Sequence, residues 1–131
     1  MTRLALPHPH LIILRTVATV VISCIIGQAG WAAAFLGGSE QYYPYHRVGA
    51  VVAMVVCILG AVVYLVLRRS AGLVNVVLAV ALAAGVVAQY TLGQAGATSA
   101  HIFWGVLLVM LGTALTSWTY RHEMPAEAAT A

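Results

Sequence analysis

Four apolar runs dominate the chain, at roughly residues 16–36, 48–67, 72–92 and 102–120. Each is about 20 residues long, and a helix rising about 1.5 Å per residue crosses a hydrocarbon layer about 30 Å thick at that length. Inside a bilayer only helices and closed barrels satisfy their own backbone groups, and these runs lack the alternation of barrel strands. The connectors GGSEQYYPYHR (37–47), RRSA (68–71) and GQAGATSA (93–100) are short. Short links make consecutive helices antiparallel neighbours. The expected fold is therefore all-α: an integral membrane up-down-up-down four-helix bundle, one domain spanning residues 1–131.

Charge agrees with this. Only 7% of the 131 residues are charged and 63% are hydrophobic, whereas a soluble domain is about a quarter charged. All six basic residues are arginine, and lysine and aspartate are absent. With alanine, valine, glycine and leucine so frequent, a GC-rich bacterial gene is indicated. The net charge of +3 comes from very few groups and forms no basic cluster, so nucleic acid is not an expected partner. The expected surroundings are the lipid bilayer of a bacterial inner membrane.

Arginine placement gives an orientation. Arg3, Arg15, Arg68, Arg69 and Arg121 belong to the two termini and the central connector, and only Arg47 lies on the other side. By the positive-inside rule both termini are expected in the cytoplasm. The first run ends near AGWAAA, a small-residue pattern of the kind signal peptidase cleaves, but it is long enough to be kept as a helix. Two prolines in LPHPHLIILR discourage helix before about residue 10, and RHEMPAEAATA reads as a small, polar tail.

The two halves share a pattern. Gln28 in the first span is followed by a glycine-rich exit and then His46 before the second span. Gln89 in the third is followed by another such exit and His101 before the fourth. Such repeats are common in membrane proteins, with sites between the halves. Residues at i+3 and i+4 share a helix face. Gly49 and Ala50, with Ala53 further along, thus lie beneath His46, and Gly105 lies beneath His101, with Gly112 deeper. The second and fourth spans run the same way and are expected diagonally opposite, so both histidines arrive at one depth, facing across the core.

Two facing imidazoles above small residues suit a flat macrocycle. Histidine is a standard axial ligand of haem iron, and bundle cores are common cofactor sites. Arg47 is placed to pair with a propionate, and the tyrosines of YYPY to donate hydrogen bonds. Gln28 and Gln89, polar at hydrocarbon depth, are expected to bond the histidines or each other. The bland alternative is that histidine, arginine and tyrosine are at home among headgroups, and that glycine and alanine simply pack helices. Cys24 and Cys57 form no CxxC or zinc set and read as small packing residues. His8, His10 and His122 lie toward the other side or in the tails.

The segments YHRVGA and QYTLGQAGATSAHIFWGVLL resemble one four-helix half of the haem A synthase family. They also resemble small uncharacterised bacterial four-helix membrane proteins with the same histidine placement. The resemblance implies that His46 and His101 are paired haem ligands and that Arg47 stands beside the first. The sequence departs from the family in having one half rather than two. It also has Tyr43 where the family's catalytic glutamate stands, three residues before the histidine, with Glu40 further off. The resemblance thus implies a haem-binding half without synthase activity.

The function expected is a b-type cytochrome-like protein or subunit holding one haem b between the second and fourth spans. It would transfer electrons near the outer face, with a quinone or a larger respiratory or other membrane complex as partner. The expected cofactor-binding residues are His46, His101, Arg47, Gly49, Gly105, Gln28 and Gln89, with His46 and His101 on the metal. The alternative is a cofactor-free accessory subunit packed against a larger complex. A proton or ion transporter needs buried acids, and Glu40, in a connector, is the only acid between Leu11 and Tyr120. No hydrolytic triad can be assembled, and two histidines do not close a zinc site. No catalytic activity of the chain's own is expected.

Overall fold

The computed structural model describes residues 7–124; Arg3 and residues 125–131 of the tail lie outside them. The described residues are helical with no strand. They form α1 (Pro9–Leu36), a 3-10 turn (Glu40–Tyr42), α2 (Tyr43–Val66), a single turn α3 (Arg68–Ala71), α4 (Leu73–Gln94) and α5 (Thr98–Arg121). All four long helices are long and apolar enough to cross a membrane.

Three of the four begin earlier than the apolar runs. Helix α1 starts at Pro9 because the His8 ring caps it, accepting the His10 N–H at Nδ1 (3.2 Å). Proline suits the first helical position, where no backbone N–H is needed. Helix α2 likewise carries Pro44 in its first turn, so Tyr45 and His46 are helical rather than part of a loop. At the α3–α4 junction Gly72 takes φ +75°, and a Cβ there would lie 2.9 Å from His122 Cε1. Both facts call for glycine at this position.

Helix α1 packs on α2 and α5, and α4 packs on the same two, so the diagonal pairs are α1/α4 and α2/α5. Leu14, Val21, Ile25, Cys57, Leu82, Val86, Leu108 and Leu115 fill the core. Lipid tails are as apolar as leucine, so close packing has to hold the helices together, and small residues allow it. Gly60 faces Val21 and Val17 of α1, Gly85 faces Leu108, and Gly112 faces Ile22. The outward faces carry Val48, Leu59, Leu73, Phe103 and Met110, all well exposed. An apolar exterior over an apolar core is what a helix bathed in lipid presents.

One polar layer crosses this core, at the end away from His46 and His101. The Tyr64 hydroxyl, fully buried, lies 2.7 Å from Thr119 Oγ1 and 3.1 Å from the Leu14 carbonyl. Thr119 Oγ1 donates to Asn75 Oδ1 (3.2 Å), and Asn75 Nδ2 donates to the Ala71 carbonyl (2.9 Å). Thr119 gives its one proton to Asn75, so the single Tyr64 proton is shared between Thr119 Oγ1 and the Leu14 carbonyl, and the layer draws all four long helices together.

Candidate functional site

His46 and His101 are each the fourth residue of their helix, α2 and α5. That shared register brings them to one depth, and the diagonal placement of the helices turns them toward each other. The ring centroids are 6.1 Å apart with the planes at 89°. Both rings are partly buried.

Each imidazole is held by the helix that precedes its own. His46 Nδ1 lies 3.3 Å from the Gln28 main-chain carbonyl, and His101 Nδ1 lies 2.9 Å from that of Gln89. A carbonyl oxygen can only accept, so Nδ1–H is the donor in both cases. Each ring is thereby fixed as the tautomer whose Nε2 keeps its lone pair. An Nδ1–H bond to a carbonyl is also the arrangement by which metal-binding histidines are oriented and made more basic. The two halves of the chain build the same unit twice.

The glutamine side chains are less alike. Gln89 Nε2 lies 3.3 Å from His101 Nε2 and donates to it, while the Gln28 amide does not reach His46. Gln28 Oε1 and Gln89 Oε1 are both buried without a partner. The site therefore holds unpartnered acceptors, the two amide oxygens and the His46 lone pair, while the His101 lone pair is taken by the Gln89 amide.

Beside the histidines lies a cavity of about 310 Å³, within the range of about 300–1,000 Å³ common for small-molecule sites. His46, Ala50 and Ala53 of α2 line it, with Gln28, Ala29 and Ala32 of α1, Gln89 and Tyr90 of α4, and His101, Gly105 and Val106 of α5. The exposed lining residues Ala29, Ala33, Ile102 and Val106 put its mouth between α1 and α5, on the lipid side.

The other expected site residues take different places. Gly105 lines the cavity, and a Cβ there would come 3.0 Å from Gln89 Nε2. Gly49 lies outside the lining and gives room to the side chains of Gln28 and Trp31 of α1. Arg47 is exposed and outside the lining. Two supports come from residues the sequence pattern did not single out. Gly93 backs His101, since a Cβ there would lie 3.0 Å from the ring, and Trp104 Nε1 donates to the Gly85 carbonyl (2.9 Å). Gly93 follows Gln89 by four residues and so shares its face, which is a signal the sequence does carry.

At the far end, His10 Nδ1 meets Ser70 Oγ (2.8 Å) and His122 Nε2 donates to the Ser70 carbonyl (2.9 Å). These tie the chain ends to the α2–α4 connection. No group of three or more metal-binding side chains occurs among the described residues. The chain matches no known family, curated protein or solved structure.

Proposed function

We propose that this protein binds one haem b between α2 and α5 and serves as a b-type cytochrome or cytochrome-like subunit. The observation that carries the reading is the matched pair of Nδ1–H bonds to Gln28 and Gln89, which leaves Nε2 of each ring as the acceptor, free on His46 and held by the Gln89 amide on His101. Two imidazoles that bind one ion from opposite sides, at about 2 Å per nitrogen, have ring centroids roughly 6 Å apart. The rings here are separated by 6.1 Å.

His46 and His101 would hold the haem, which would supply one-electron redox chemistry, and ligation by two histidines would favour electron transfer over oxygen chemistry. The chain's own residues provide the rest. His46 and His101 offer the lone pairs, and the Gln28 and Gln89 carbonyls hold the rings in the binding tautomer. Ala50, Ala53 and Gly105 leave room for a flat ring, and the apolar lining keeps water out. Arg47 and the tyrosines of residues 42–45 stand at the same end, where propionates would emerge. Tyr43 in place of a catalytic glutamate favours an electron carrier over a synthase.

In this reading the bundle is up-down-up-down, lies in a bacterial inner membrane and has both termini in the cytoplasm. Arg15, Arg68, Arg69 and Arg121 mark the inner end, and the histidines lie near the outer face. A membrane quinone or a partner protein exchanges electrons there, because one haem near one face does not span the bilayer. Gly27 and Gly30 of α1 have nothing packed against them, which favours a subunit whose outer face meets another helix in a larger complex.

Titrating the purified protein with haemin tests the reading. Saturable binding at one equivalent per chain is expected. A folded protein that shows no saturable binding overturns it.

A further inference from the structure

A second crevice, of about 400 Å³, lies at the opposite end of the bundle between α1 and α5. Pro7, Ile12, Arg15, Thr16, Thr19 and Tyr120 line it. Arg15 is partly buried there, and its Nη2 donates to the Tyr120 carbonyl (3.2 Å). Its guanidinium carbon stands 5.6 Å from the centre of the Tyr120 ring. Thr19 Oγ1 donates to the Arg15 carbonyl (2.9 Å), so the Tyr120 hydroxyl, 3.0 Å away, must donate to Thr19. The protons of those two hydroxyls thus go to the Arg15 main-chain carbonyl and to Thr19, and neither hydroxyl bonds the guanidinium.

The guanidinium itself is left short of partners. Among the described residues its one hydrogen bond is to Tyr120, and its Nε is buried without an acceptor. Of the acidic residues, Glu40 lies at the other end, and Glu123, just past α5 at the same end, makes no hydrogen bond to Arg15 among the described residues. A held, partly desolvated arginine without an anion is a receptor for one, and its planar fork matches phosphate oxygens. Arg15 is level with Tyr120, the penultimate residue of α5, at the depth where headgroups meet the helix ends. The exposed Ile12 and Val20 extend the crevice as an apolar surface suited to an acyl chain.

We infer that this crevice binds the phosphate of an anionic phospholipid, with Arg15 as the phosphate ligand. The site is independent of the histidine pair. It can be tested by native mass spectrometry of the detergent-solubilised protein, titrated with phosphatidylglycerol, phosphatidylcholine or inorganic phosphate. Wild type is expected to retain phosphatidylglycerol in preference to phosphatidylcholine, and millimolar phosphate is expected not to displace it. R15Q is expected to bind phosphatidylglycerol roughly five- to tenfold more weakly.

T16W fills the crevice from an exposed position that the fold does not depend on, and it should weaken binding as well. R68Q, which removes an exposed arginine near the same end, should leave binding unchanged. Equal retention of both lipids by wild type overturns the inference, as does equal phosphatidylglycerol binding by wild type and T16W. Loss of binding in R68Q as large as in R15Q would mean that diffuse positive charge, rather than the crevice, attracts the lipid. Full displacement by phosphate would assign the site to the free anion and overturn the lipid.

Discussion

Gly49→Ala tests how closely α1 and α2 must approach for the histidine site to form. A Cβ at this position would overlap Gln28 Nε2 and Trp31 Cζ3 and would lie 3.0 Å from Trp31 Cε3. The glutamine amide is a flexible tip and can move. The indole is bulkier and rigid, and it also sits beside Tyr45 with ring centroids 6.3 Å apart, so it yields less readily than the amide. The helices must therefore part, and overpacking of this kind costs about 1–3 kcal/mol. Alanine's better helix propensity offsets up to about 1 kcal/mol. A net loss of about 1–2 kcal/mol corresponds to a drop of roughly five- to thirtyfold in the ratio of folded to unfolded protein. Because the Gln28 carbonyl holds His46, haem affinity should fall too. Gly27→Ala is the control, the same change at a position where a Cβ would meet nothing within 4 Å. Unfolding in detergent micelles should find Gly27→Ala at least as stable as wild type and Gly49→Ala clearly weaker. Equal stability and equal haem affinity in the two variants would refute the reasoning.

Two further outcomes separate structure from site. Tyr64→Phe deletes the hydroxyl at the centre of the buried polar layer and should cost about 1 kcal/mol in unfolding while leaving haem affinity intact. A selective loss of haem binding would contradict that division. Gln89→Leu removes the amide that competes for His101 Nε2 but keeps the main-chain carbonyl on Nδ1, so haemin uptake in stopped flow should become faster. Slower uptake would show that the amide aids binding rather than competing with the ligand.

The four long helices were legible because lipid imposes a simple condition, about 20 consecutive apolar residues, that hydropathy reads directly. Several helix starts were not legible, because the early turns of α1, α2 and α5 are polar or proline-containing while being helical. Pro9 belongs to α1 because it sits where no N–H is needed and because His8 caps the end. The facing of His46 and His101 followed from spacing alone. Their partners did not, since the acceptors are the Gln28 and Gln89 main-chain carbonyls, and a main-chain atom leaves no mark in a sequence. The same holds for the Tyr64–Thr119–Asn75 layer. Its members are 55 and 44 residues apart along the chain and come together only through packing. Gly49 illustrates the opposite difficulty: the sequence puts it below His46, but only the structure shows that it makes room for α1 rather than for the cavity.

The most direct test of the central claim is the visible spectrum of the purified protein, oxidised and then reduced with dithionite, for wild type, His46→Ala and His101→Ala. Wild type is predicted to give a Soret band and, on reduction, sharp α and β bands that each single histidine variant loses or shifts. A folded wild type, produced with haem available, that shows no Soret band would contradict the account.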